Sequence, residues 1–222
     1  MRRQYCRTGL FNDYNIMCNK EIDTKRVILE AAEAEFLSKG YGNTKMMAIA
    51  KRAGVSHSML HYHFQTKENL FQMIFREKVQ MFSQIFEVIT EQNLPFTETI
   101  RRFIECQFDL VAQNSRLPLF VMNEIMSDKK NLNLVIEVIK PKAVVIFNRL
   151  ETMLNDEIEK GNVRPVKFIN LIMNILAINI SFFLVSPLFE EIILPFDKSV
   201  KEAIIKDRRE SNVQFILKAL KP

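Results

Sequence analysis

Apolar residues recur along most of this chain at the three- and four-residue spacing of a helix face. The first clear stripe is Ile28, Ala31, Ala32 and Phe36, with Asp23 or Thr24 placed to cap its start and Lys39-Gly40 to close it. Thr44 is the expected cap of a second helix reaching about Arg52, with Met46, Ile49 and Ala50 inward. Ala53-Gly54-Val55 reads as a three-residue turn with glycine where φ must be positive. Ser56 caps a short third helix that turns Val55, Leu60 and Phe64 inward. Thr66 caps a fourth, from Lys67 to roughly Thr90, with Leu70, Ile74, Phe75, Phe82 and Ile85 apolar.

After a break at Pro95, helices are expected over 97–113, 118–126, 132–161, 165–185 and 199–220, the third of these open to interruption at Pro141. Sustained period-two alternation is absent, so the fold class is all-α: an N-terminal three-helix unit over 21–68 and a C-terminal helical bundle over 69–222. Residues 1–20 lack periodicity and are expected to be a poorly ordered lead-in, with Met17 a second possible start. No apolar run follows Arg2 and Arg3, so a signal peptide is not expected.

Composition narrows the class. With 222 residues, 48% hydrophobic and 26% charged, the chain can bury a core and is not wholly disordered. Five glycines and seven prolines are too few for a collagen-like chain or for the turns of a β-sandwich. Cys6, Cys18 and Cys106 are odd in number and widely spaced, which offers neither a disulfide framework nor a metal pair and suits a reducing cytoplasm. The 22 uncharged residues from Phe168 to Phe189 are long enough to cross a bilayer. Asn170, Asn174 and Asn179 within them are costly in lipid, so a buried helix at a core or subunit interface is preferred.

Charge changes the picture most. The formal net charge is +5, from 31 basic and 26 acidic residues. Between Phe36 and Lys67 there is no Asp or Glu, and five bases lie there: Lys39, Lys45, Lys51, Arg52 and Lys67. The rest of the chain is therefore electrically balanced, and the excess sits in the window from Phe36 to Lys67.

Helix, glycine turn and short helix over 44–67 form a helix-turn-helix, whose second helix can enter a major groove about 12 Å wide. Its outward positions Ser56, His57, Ser58, Met59, His61 and Tyr62 carry mostly hydrogen-bonding groups. Thr44, Lys45 and Lys67, at helix starts, can hold phosphates, and His63 can donate to one or pack locally. His57 and His61 have the i, i+4 spacing of a metal pair, but no Cys or carboxylate nearby completes a site, so DNA contact is preferred and no metal or cofactor is expected.

At these residues the chain resembles the TetR family of bacterial transcriptional regulators. The resemblance runs from about Lys25 to Leu70. It includes Phe36, Gly40-Tyr41, Thr44, Ile49-Ala50, Ala53-Gly54-Val55-Ser56, Leu60 and the run from His63 to Leu70. Gly161-Asn162-Val163-Arg164-Pro165 also looks like a family feature. Two departures stand out: His61 replaces the usual Tyr, and Met46-Met47-Ala48 lack the charged residue often found early in the second helix.

The resemblance implies a cytoplasmic homodimer that binds a palindromic operator in double-stranded DNA and is released from it by a small molecule. It implies pairing of the last two helices with their copies, with Phe168, Ile172, Ile175, Ile204, Ile216 and Leu220 as interface candidates. It also implies an effector pocket in the bundle. Phe82, Phe86, Phe103, Gln107, Phe120, Asn123, Met126, Phe147, Met173 and Asn174 are the candidate lining, suited to an apolar or amphipathic ligand. The competing readings are a membrane-associated helical protein spanning with Phe168–Phe189, and an enzyme. Against the enzyme stands the lack of any GxSxG, HExxH or Gly-rich phosphate motif.

Overall fold

A computed structural model describes the backbone of residues 9–90, 94–192 and 198–222, and the side chains of 23–85, 94–189, 191–192 and 199–222. Expectations for residues 1–8 and for the side chains of Met17, Cys18 and Phe86 lie outside the described residues. Every described element is a helix, in the order α1 (Gly9–Asn43), α2 (Met46–Ala53), α3 (His57–Phe64), α4 (Lys67–Thr90), α5 (Phe96–Gln113), α6 (Leu117–Ser127), α7 (Lys129–Glu159), α8 (Phe168–Ile192) and α9 (Lys198–Ala219).

Helix α1 begins well ahead of the Ile28 stripe, so residues 9–20 are helical backbone rather than irregular chain. Asp23 therefore sits within a helix and caps nothing; its carboxylate accepts from Arg26 one turn on, at 3.3 Å. The regular helix breaks at Gly40, whose φ of 73° and ψ of 169° are open to glycine and strained for other residues.

Proline does not divide the long helices. Pro141 lies within α7 and Pro187 within α8. Both are exposed, so the missing N–H and the freed carbonyl one turn earlier can be met by water.

The chain forms two compact units, 1–74 and 75–222. In the first, Ile28, Ala32, Phe36, Ile49, Leu60, Phe64, Leu70 and Phe71 are buried, so each of its helices contributes an apolar stripe to one core. Phe71 meets Phe36 edge-to-face at 5.3 Å and tilts against Tyr41 at 4.7 Å.

In the second unit, Ile100 and Ile104 of α5, Ile146, Leu150 and Leu154 of α7, Leu171 and Ile175 of α8, and Val213 and Ile216 of α9 build the core. Arg209 of α9 grips Asp109 of α5 through two hydrogen bonds of 2.8 and 3.0 Å. The Gly161–Pro165 turn is anchored to the end of α9, because the Arg164 N–H donates to the Leu220 carbonyl at 3.0 Å.

Candidate functional site

The helix-turn-helix is built by local rules. Gly54 ends α2 at φ 67°, ψ 25°, and the Val55 N–H closes the turn onto the Ala50 carbonyl at 3.1 Å. Ser56 caps α3, its hydroxyl accepting the Met59 N–H at 3.1 Å. Leu60 and Phe64, one turn apart, are buried, which aims Ser58, Met59 and Tyr62 outward. Ser56, His57, Ser58, Met59, His61 and Tyr62 are all exposed; Tyr62 keeps 75% of its surface in solvent. The His57 and His61 rings meet edge-to-face at 4.6 Å. His63 is half-buried beside Tyr62, with ring centroids 5.2 Å apart.

Gln65 follows α3 with φ 57° and ψ −59°, a positive φ at a residue that is not glycine. Such a conformation costs on the order of 1–3 kcal/mol. It is held by the Gln65 N–H donating to the His61 carbonyl at 2.8 Å and by Thr66 capping α4 at the Asn69 N–H, 3.1 Å.

One expectation is corrected here, the capping role of Thr44. Thr44 is buried and is not the cap of α2. Its hydroxyl lies 2.8 Å from the Gly40 carbonyl and 3.2 Å from that of Glu35, satisfying acceptors that the end of α1 would otherwise leave open. Lys45 occupies the cap position, exposed and with no side-chain capping bond, so the first N–H groups of α2 stay open. The Lys67 ammonium lies 4.4 Å over the Tyr41 ring and 3.4 Å from the Gly42 carbonyl, at the end of α1.

The basic surface is also smaller than the acid-free window suggests. Glu35, one residue before that window, is buried and accepts from Lys39 at 2.6 Å and Arg52 at 3.1 Å. Lys39 and Arg52, each about half exposed, thus share one carboxylate, which offsets one of the five positive charges. Lys45 and Lys51 remain exposed without an ion pair among the described residues. Lys51 was not among the expected contacts; exposure on the last turn of α2, beside a paired Arg52, is not visible from spacing alone.

The Lys39 hydrogen bond, opposed by burial and reinforced by Arg52, holds the Glu35 carboxyl below the ordinary value of 4.5. A carboxyl with a lowered folded-state value adds stability that is fully present above about pH 4.5 and is lost as pH falls through the lowered value. Glu35→Gln is therefore expected to flatten the acid limb of the unit's thermal midpoint against pH. At neutral pH it is expected to cost about 1 kcal/mol, since both cationic partners are half exposed. An unchanged acid limb would show that the pair contributes nothing.

In the C-terminal unit, α5, α6, α7, α8 and the latter part of α4 surround a cavity of about 380 Å³. Phe82, Phe103, Gln107 and Phe147 line it as expected; the remaining lining is mostly aliphatic, with Val135 and Ile139 on α7 and Leu176, Ile180 and Leu184 on α8. The other described candidates are corrected. Phe120 is buried but faces away, packing on Phe75 at 5.9 Å. Asn123, Met126, Met173 and Asn174 are exposed and line no part of the cavity. The search for Phe, Met and amides passed over the Leu176–Ile180–Leu184 stripe, whose i, i+4, i+8 spacing was the available signal.

Four of the six interface candidates are covered by their own chain. Ile172, Ile175, Ile216 and Leu220 are buried within their own chain, Phe168 packs on Phe147 at 5.7 Å, and Ile204 is half-buried along a groove with Ile205. The large apolar residues that α8 leaves exposed are Ile169, Met173, Leu184, Val185, Leu188, Phe189 and Ile192; Ile169, Met173, Val185, Leu188 and Ile192 follow one stripe that continues through the small Ala177 and Ser181, and α9 adds Val200 and Phe215. By length and apolarity α8 could cross a membrane. Yet its inner face packs in the bundle core, and its mid-helix Asn179 is fully buried and hydrogen-bonded to α5 and α9.

Comparison with known proteins agrees with these features. A family model described as bacterial regulatory proteins, tetR family, matches residues 28–74. The uncharacterized HTH-type transcriptional regulator YhgD of Bacillus subtilis (strain 168) is 29% identical over 144 residues, covering 65% of this chain and 74% of that protein. The fatty acid metabolism regulator protein of the same organism is 25% identical over 138 residues, covering 62% and 69%. The ketosteroid transcriptional regulator KstR2 of Mycobacterium tuberculosis shares the fold at a TM-score of 0.67 and 16% identity, over 89% of this chain and 95% of that one. These relatives are regulators rather than enzymes.

Proposed function

This chain belongs to the TetR family of bacterial regulatory proteins, a helix-turn-helix transcriptional regulator, and from that premise we propose that it is a dimeric cytoplasmic repressor released from DNA by an apolar effector. The observation that carries the DNA reading is the outward face of α3. Its serines, phenol and the imidazoles of His57 and His61 are exposed, as are Lys45 and Lys51 at the two ends of α2, while Glu35 is buried and paired with Lys39 and Arg52. Side chains of this kind meet base edges in the major groove, while the open start of α2 and the two lysines meet phosphates.

A twofold dimer presents two such helices, so the operator is a palindrome with half-sites about 34–36 Å apart or a multiple of that. The exposed stripe of α8 from Ile169 to Ile192, with Val200 and Phe215 of α9, supports the interface; it replaces the buried residues first considered. The 380 Å³ cavity supports the effector site. A ligand releases DNA only if it binds more tightly to the form whose reading heads are wrongly spaced. One relative is named for fatty acid metabolism and one structural likeness for ketosteroids, and an apolar lining suits skeletons of that kind.

The test is binding to DNA upstream of the protein's own gene over a salt series. Lys45→Ala is expected to weaken binding at every sequence and to reduce the salt slope by about 1, the signature of one lost phosphate contact. The protein is expected in the soluble fraction. Absence of any salt-sensitive DNA binding would overturn the reading.

A further inference from the structure

Resting on the reading of the C-terminal cavity as the effector site, we infer that the effector is an uncharged amphiphile presenting one hydrogen-bond acceptor oxygen, of the ester, thioester or ketone kind, to the side-chain N–H of Gln107. The inference comes from a chain of three buried amides, Asn212 of α9, Asn179 of α8 and Gln107 of α5.

Each amide offers one accepting oxygen and one donating nitrogen, and backbone carbonyls settle which faces where. Asn212 points an atom at the Ile178 carbonyl, 3.3 Å away; a carbonyl only accepts, so that atom is Nδ2. The same nitrogen donates to Asn179 at 2.8 Å, so the receiving atom is Oδ1. The nitrogen of Asn179 then donates to the Ile104 carbonyl at 2.9 Å and to Gln107, which must present Oε1. Gln107 is left with Nε2, which has no partner among the described residues, and Gln107 is the single polar side chain in the described cavity lining. An amide turned the other way would ask for a donor; this network turns the donor outward.

Ligand chemistry follows. An acceptor oxygen satisfies the N–H, whereas a hydrocarbon leaves it unmet in an apolar enclosure. No cation lines the cavity, so a carboxylate would lose its hydration without a counter-charge. At roughly 30 Å³ per small heavy group, a cavity of about 380 Å³ holds a chain of about a dozen such groups. Gln107 thus acts as the specificity residue, and Asn179 and Asn212 as positioning residues that set its orientation.

The test uses the full-length protein and three probes sharing a twelve-carbon chain: dodecane, methyl laurate and laurate, with affinities taken from thermal shifts and dialysis. Methyl laurate is expected to bind about tenfold more tightly than dodecane and more tightly than laurate. Gln107→Met is expected to bring the methyl laurate to dodecane ratio close to one while keeping dodecane affinity, a loss that general destabilisation would not produce. Val135→Trp, which fills the cavity, is expected to abolish binding of both. If Gln107→Met does not fold, the ratios on the unaltered protein still decide. Equal binding of ester and alkane, or tighter binding of laurate, overturns the inference and leaves the effector cavity standing. Failure of all three probes to bind removes both.

Discussion

Phe36→Ala is expected to unfold the N-terminal unit while the C-terminal bundle keeps its own transition. Phe36 is fully buried, stacked with Tyr41 at a centroid distance of 6.2 Å and edge-on to Phe71 at 5.3 Å. Deleting a buried phenylalanine ring costs about 3–5 kcal/mol, from lost transfer energy and the cavity left behind. Domains hold only about 5–15 kcal/mol in total, and a unit of this size sits toward the lower end. Calorimetry should show a second, much earlier transition, hydrogen exchange should lose protection in α1 to α3, and specific DNA binding should disappear. One undivided transition shifted by a few degrees would instead mean that the two units fold as one.

The second large effect concerns assembly. The pair Ile169→Asp with Met173→Asp is expected to yield folded monomers. Both side chains are more than half exposed, so their replacement leaves the chain's own core intact, yet it sets carboxylates in the proposed dimer face. Joining two reading heads commonly raises affinity by about 10²–10⁴ over either alone, so operator affinity should fall by that order while binding to an isolated half-site persists. Sedimentation and gel-shift titrations on palindromic and half-site DNA would check both parts. Ile175→Asp, at a fully buried position, is expected to unfold the bundle instead. A folded monomer from Ile175→Asp, or an unchanged dimer from the double variant, would move the interface elsewhere.

Much of the reading head could be read along the chain because its determinants are local. The positive φ of Gly54, the Ser56 and Thr66 caps, and the inward pair Leu60 and Phe64 each depend on residues a turn away. Once Leu60 and Phe64 face in, helical geometry turns Ser58, Met59 and Tyr62 out, while His57, three residues before Leu60, is exposed because it is the first residue of α3. The helix positions in the C-terminal half followed from the same periodicity, and they differ from the structure chiefly at their ends and at Pro141 and Pro187, where exposed proline was tolerated.

Long-range partners were beyond such reasoning. Thr44 has the chemistry of a cap, but the nearby end of α1 offered its hydroxyl buried carbonyls. Lys39 and Arg52 look like free cations until Glu35, outside the acid-free window, is folded between them. Helix α8 is the sharpest case. A helix apolar on every side has no polar stripe to mark the outside, so its sequence cannot say which residues enter the core, which line the cavity and which stay exposed. By itself the sequence determined the helices, the turn and the face of α3, all set by neighbours within a few residues. The tertiary structure decided which cations are paired, which side of α8 is exposed and which way Gln107 points, because each depends on groups brought together from distant parts of the chain.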